Sequence, residues 1–237
     1  MKKFAIAVMS LGLLGALPVA QAASVTVDAG NYFLSYEDTF LSGASVSVAG
    51  GVVTFGGLDY STFAIGDAIP ANGTIGSFDS YGGKPFPIVI TAKTGYALSG
   101  LVESVAGDHR AVAGDAQDAQ AGVMAGLVSR WVTVNGTDPL GQNTPYQLVS
   151  LASGQASSGA FNATGALAFS TSGPIGLSAL DLLAGAGATG QGSAAYVTLS
   201  QYKIGVQTTA VPEPEVLALV LAGLGVVGYR ARRHQQA

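Results

Sequence analysis

The sequence predicts an all-β protein: a single antiparallel β-sandwich or jelly-roll-like domain, preceded by an N-terminal signal peptide and followed by a short C-terminal transmembrane helix. Three observations carry this expectation. Gly supplies 34 of the 237 residues and charged residues only 10%, while hydrophobic residues reach 49%, which is too apolar for disorder and too rich in glycine for a helical protein. Between the two termini, apolar and polar residues alternate with period two and are punctuated by Gly, Asn and Asp, the pattern of many short strands. No linker longer than a loop interrupts residues 23–208, so the whole alternating region reads as one domain.

Taken in order, the chain begins with a positive pair, Lys2 and Lys3, then an apolar run over residues 4–17, then Ala20-Gln21-Ala22. This small-x-small step after an apolar run is what a signal peptidase accepts, because its pocket admits only small side chains. Residues 1–22 are therefore expected to be removed after Ala22, with Ala20 and Ala22 as the recognised pair. The strand pattern starts with SVTVD from Ser24. ASVSVAGGVVTFGG, from Ala44, places Val46 and Val48 on one face, breaks at Gly50-Gly51, and resumes with Val53 and Phe55, as a hairpin does. PIVITAKTGYALSGLVESV, from Pro87, repeats the alternation. Residues 115–128 are rich in alanine and admit a short helix, but Gly122 and Gly126 each cost a helix about 1 kcal/mol. Val128, Val132 and Val134 keep the parity of Met124, so a strand is expected from about Val123 to Val134. In the last strand, AAYVTLSQYKIGVQTT, Val197 and Leu199 share one parity while Tyr202, Ile204 and Val206 share the other. A β-bulge near Ser200-Gln201 would bring all five to one face.

Several kinds of chemistry are excluded or disfavoured by composition. Between Ala23 and Val211 there are five basic and twelve acidic residues, a net charge of −7 with neutral His109, and such a surface repels phosphate backbones. Nucleic acid is not an expected partner. The absence of Cys removes disulfides, thiolate metal sites and thiol nucleophiles together. GAGATG at residues 185–190 fits a dinucleotide fingerprint by letter, but a strand pattern follows where a helix should begin, so a glycine-rich turn is expected. His109 has no G-x-S-x-G serine for company and reads as a surface-loop histidine, with Asp108 on the opposite face if the stretch is a strand. Asp108, Asp115 and Asp118 lack the spacing of a calcium loop. No catalytic, cofactor-binding or metal site is expected, and no cofactor. Asn72, Asn135 and Asn162 sit in N-x-T sequons and look loop-like. Among the aromatic residues, Phe40, Phe55, Phe63 and Phe169 are expected in the core, and Tyr60, Tyr81 and Trp131 are the candidate sugar contacts, since such rings pair an apolar face with a polar tip.

The C-terminus joins Pro212-Glu213-Pro214, an apolar run over residues 216–229, and Arg230, Arg232 and Arg233. As a helix the run rises about 21 Å against a hydrocarbon core of roughly 30 Å, and the arginines should halt transfer and stay cytoplasmic. The two prolines disfavour helix before them and should leave an extended, accessible segment. These three ordered parts, VPEP, then LALVLAGLGVVGY, then the arginine cluster, resemble the PEP-CTERM sorting signal, here covering residues 209–237. The resemblance implies an exosortase substrate of a Gram-negative bacterium, held transiently in the inner membrane facing the periplasm and then delivered to the cell surface or extracellular matrix. It also implies association with exopolysaccharide or biofilm. The expected function is that of an exported, non-enzymatic surface or matrix protein whose partners are signal peptidase, exosortase and exopolysaccharide. A carbohydrate-binding module is the alternative, and a secreted hydrolase a more distant one.

Overall fold

The computed structural model describes residues 23–41, 43–65, 71–77, 86–135, 138–212 and 214–234. The residues of the signal peptide, with Ala20 and Ala22, lie outside them, as do Tyr81 and Glu213. The described residues form thirteen strands and one helix: β1 Ser24–Asp28, β2 Tyr32–Glu37, β3 Ser45–Ala49, β4 Val52–Ile65, β5 Ala71–Ser77, β6 Ile88–Ala92, β7 Tyr96–Val112, β8 Gln120–Thr133, β9 Pro139–Asn143, β10 Tyr146–Ala152, β11 Ala156–Thr171, β12 Ile175–Thr189, β13 Ala194–Ala210 and α1 Pro214–His234. All pairings are antiparallel. One sheet runs β1-β2-β6-β12-β8-β10, with β5 also on β12 and β9 also on β8; the other runs β11-β7-β13-β4-β3. From β10 onward each successive strand changes sheet, so the chain winds around a common core. The expected all-β class is therefore present, as two packed, unclosed sheets.

The core explains why these strands take these faces. From the first sheet, Leu127 and Trp131 of β8 and Leu180 and Leu182 of β12 are buried; from the second, Leu101 and Val105 of β7 and Val197, Leu199, Tyr202 and Ile204 of β13 meet them. Alanines 121, 125, 184, 186, 188 and 195 fill part of the same core. Elsewhere Phe55 stacks on Tyr202 at 5.9 Å between ring centroids and meets Tyr36 and Phe40 edge-on at 5.4 and 5.3 Å, geometries that suit the ring quadrupoles.

Local chemistry shapes the long strands. The β3–β4 hairpin turns on Gly50 and Gly51 at φ +58° and +76°, values that only glycine adopts without strain. The pairing of β13 with both neighbours slips between Leu199 and Gln201, so the bulge expected near Ser200 is present and Val197, Leu199, Tyr202, Ile204 and Val206 all reach the core. Ser200 Oγ donates to the Ala106 carbonyl at 3.2 Å across this irregularity. Nearby, a Cβ on Gly107 of β7 would lie 1.8 Å from the Thr198 carbonyl oxygen.

Two expectations need correction. β8 is a strand, but its inward parity is odd, through Ala121, Val123, Ala125, Leu127, Ser129 and Trp131, and the Met124 parity lies on the other face. The tryptophan decides this, since its large apolar surface outweighs the smaller valines opposite. GAGATG is mainly strand: residues 185–189 belong to β12, and the turn comes only at Gly190, φ +80°.

Candidate functional site

Of the aromatic residues chosen from sequence, the two that are described, Tyr60 and Trp131, do not form a surface. Trp131 is fully buried, and Tyr60 is half-buried and packed against the core, because both stand on the inward parity of their strands. His109 is on β7 rather than in a loop, half-buried, with Nε2 3.0 Å from Ser157 Oγ and Nδ1 buried without a partner. Asp108 does point to the opposite, exposed face. Asn72 and Asn162 lie in strands β5 and β11 and only Asn135 in a turn. Among the described residues no three His, Asp or Glu side chains gather into a metal site; Asp115 and Asp118 are exposed in the turn after β7.

A different surface emerges on the outer face of the second sheet. Tyr196 of β13 stands directly opposite Phe63 of β4 on one side and Arg110 of β7 on the other, and Arg110 is opposite Ser158 of β11. Adjacent strands lie about 4.8 Å apart, so the row spans about 14 Å. Phe63 is 65% exposed and Tyr196 42%, which corrects the expectation of a core Phe63. β4 changes phase at Gly57, φ +75°, so Leu58 and Ala64 turn inward and Phe63 outward. The next row toward the middle of the sheet holds Ser61, Thr198 and Asp108. A depression of about 420 Å³ lies among Phe63, Ile65, Tyr196, Arg110 and Val112, and a second of about 200 Å³ lies on the other flank of Arg110, beside Ser158. Among the described residues Arg110 enters no ion pair. Its five N–H donors face solvent between the two hollows.

Inside the molecule, Glu103 of β7 is fully buried and accepts three hydrogen bonds: from Ser129 Oγ of β8 at 2.5 Å, from Asn143 Nδ2 of β9 at 3.1 Å, and from the Tyr202 hydroxyl of β13 at 2.5 Å. The network ties the two sheets together. Asn143 reaches it across Gly165 of β11, where a Cβ would lie 2.2 Å from Asn143 Oδ1. Burial pushes the Glu103 carboxyl above the usual carboxylate range, opposed by the hydrogen bonds from Ser129, Tyr202 and Asn143. Burial likewise raises Tyr202, with the charge on Glu103 adding to it. The Trp131 indole approaches the same carboxyl and lowers it slightly, without reaching a hydrogen bond of normal geometry. A fully buried acid whose oxygens already accept three bonds serves to position strands.

The third feature is α1. Pro214 opens the helix, where a missing N–H costs nothing, so of the Pro-Glu-Pro step expected to be extended Pro212 lies outside regular structure, Pro214 belongs to α1, and Glu213 lies outside the described residues. Leu219, Val220, Leu221, Leu224, Val226 and Val227 are each 55–72% exposed. At 100° per residue they cover about 220° of the helix, and Ala218, Ala222 and Gly225 occupy the rest, leaving no polar face among residues 218–227. Arg230 and Arg233 fall in its last turns, and Arg232 is exposed. No helix among the described residues is long and apolar enough to cross a membrane.

No family model matches the chain. No curated protein matches it either. Solved structures of infectious bursal disease virus, Gx and Gt strains, align at 13% identity over 75% of this chain, with TM-scores of 0.19 and 0.17. The alignment spans half the length of those chains, and scores at this level carry no shared fold.

Proposed function

We propose that the protein is an exported, non-enzymatic component of the cell surface or extracellular matrix, released from a transient inner-membrane anchor by an exosortase. In this reading the two sheets are one jelly-roll-like sandwich, residues 23–208, carried out of the cell by a cleaved signal peptide and a sorting tail. The observation that carries it is α1: ten consecutive exposed residues, 218–227, with apolar side chains on every side. A helix with that surface is stable in an apolar surrounding and not in water. Its apolar run is about 9 Å short of a hydrocarbon core, which suits a temporary hold better than a permanent anchor, and arginines can lengthen it by snorkelling. In sequence Pro212, Glu213 and Pro214 lie just ahead of the apolar run, where a membrane enzyme would meet the chain.

The test separates anchoring from recognition. Replacing Pro212, Glu213 and Pro214 with Ala leaves the apolar helix intact, so the variant should accumulate uncut in the inner membrane while the wild type leaves it. An alanine variant that reaches the medium at the same shortened mass as the wild type would remove Pro-Glu-Pro as the recognition element. The second reading, a module that binds matrix carbohydrate, is favoured by the exposed Phe63-Tyr196-Arg110 row.

A further inference from the structure

We infer that the row Phe63-Tyr196-Arg110, with Thr198 and Asp108 beside it, is a binding platform for an uncharged polysaccharide. The inference deepens the carbohydrate reading above and rests on it. A sugar ring has an apolar face of C–H groups and a rim of hydroxyls that both donate and accept, and each has its counterpart here. Phe63 and Tyr196 are neighbours across one strand pairing, 65% and 42% exposed, on a sheet that holds their spacing rigidly. Such rings offer flat apolar area at little entropic cost. Arg110 supplies donors in a planar fork, and Asp108, two residues along the same strand and on the same face, supplies an acceptor-only carboxylate. Thr198 and Ser158 add hydroxyls on either side of Arg110. With Ser158 of β11 included the row crosses four strands, about 14 Å, so it reaches more than one ring of a linear chain.

Charge selects among saccharides. Arg110 is accompanied on the same face by Asp108 and Asp59, and the domain between Ala23 and Val211 carries −7. A polyanion would meet net repulsion, whereas uncharged hydroxyls use the guanidinium and the carboxylate together. The apolar patch is also small, chiefly Phe63, Ile65 and Tyr196, against the roughly 800 Å² per partner of a stable protein interface.

The test is affinity electrophoresis of the full-length protein, in detergent, through gels containing dextran, soluble xyloglucan, arabinoxylan or alginate. At least one of the three uncharged polymers should retard the wild type, and alginate should not. Tyr196→Ala and Phe63→Ala should each weaken retardation at least tenfold, Arg110→Met by a smaller factor, and Tyr196→Phe should retain most of it. All three residues are on the surface, and unchanged thermal midpoints will show that the four variants fold. Retardation by alginate alone, by none of the polymers, or equally in wild type and Tyr196→Ala overturns the proposal. So does a wild-type dimer that Tyr196→Ala converts to monomer, since the row would then be a contact between copies. Retardation that Tyr196→Ala leaves unchanged sinks the platform and keeps the carbohydrate reading, whereas no retardation by any polymer sinks both, and export plays no part in the assay.

Discussion

Glu103 brings a carboxyl group into the centre of the core, and its protonation should be visible in the stability of the whole protein. Burial raises its pKa in the folded state above the unfolded value, so the folded chain holds the proton more tightly. That contribution is complete below the unfolded carboxylate pKa of about 4.3 and is lost as pH rises through the raised value. Asp28 acts in the opposite sense, since its hydrogen bond to Lys93, at 2.6 Å, holds it low; its contribution is present above the unfolded Asp pKa and is lost as pH falls through the lowered one. Glu103→Gln keeps an oxygen for Ser129 and Asn143 and turns an amide donor toward Tyr202. Urea unfolding at pH 5 and pH 8 should show the wild type weaker at pH 8 and Glu103→Gln with little difference between the two. An equal decline in both proteins would mean that the slope arises elsewhere. Glu103→Leu strands three buried donors and should cost about 3 kcal/mol or more at pH 5. The sequence held the clue, because Glu103 shares the parity of Leu101 and Val105 in an apolar strand, a placement that requires partners. Those partners, Ser129 and Asn143, come from distant strands and could not be read.

At the scale of elements, parity arguments succeeded where one face was clearly more apolar and failed where a strand changed phase unseen. The β13 bulge was legible because five large residues demanded one face. The alternation of that strand places Tyr196 opposite to Val197, a signal that marks it as a surface aromatic. Phe63 was misassigned because the slip at Gly57 lies between residues of unremarkable polarity, and the face of β8 because its inward residues include alanines and a serine. The bulge also explains a glycine. Thr198 presents its carbonyl where a Gly107 side chain would stand, so Gly107→Ala should destabilise by about 2–3 kcal/mol through displaced backbone. Gly173→Ala, whose Cβ would meet Thr171 Oγ1 at an ordinary 3.6 Å, should be near neutral. Thermal denaturation of the pair checks this, and equal midpoints would show that the strands at the bulge separate freely.

For the whole molecule, composition sufficed for the fold class: glycine-punctuated alternation without Cys leaves two packed sheets as the way to bury 49% hydrophobic residues. Strand order was not legible, since pairings such as β12 with β8 and β13 with β7 join segments separated by other strands. In the proposed sorting route the two ends are removed, at different membrane steps, from the domain they carry. The most direct measurement is the intact mass, with terminal sequencing, of the protein found outside the cells. The expected product is a chain that begins at Ala23 and ends before α1, so that the exposed apolar helix never meets water. A released chain that begins at Met1, or that still carries the helix through to Ala237, would contradict it.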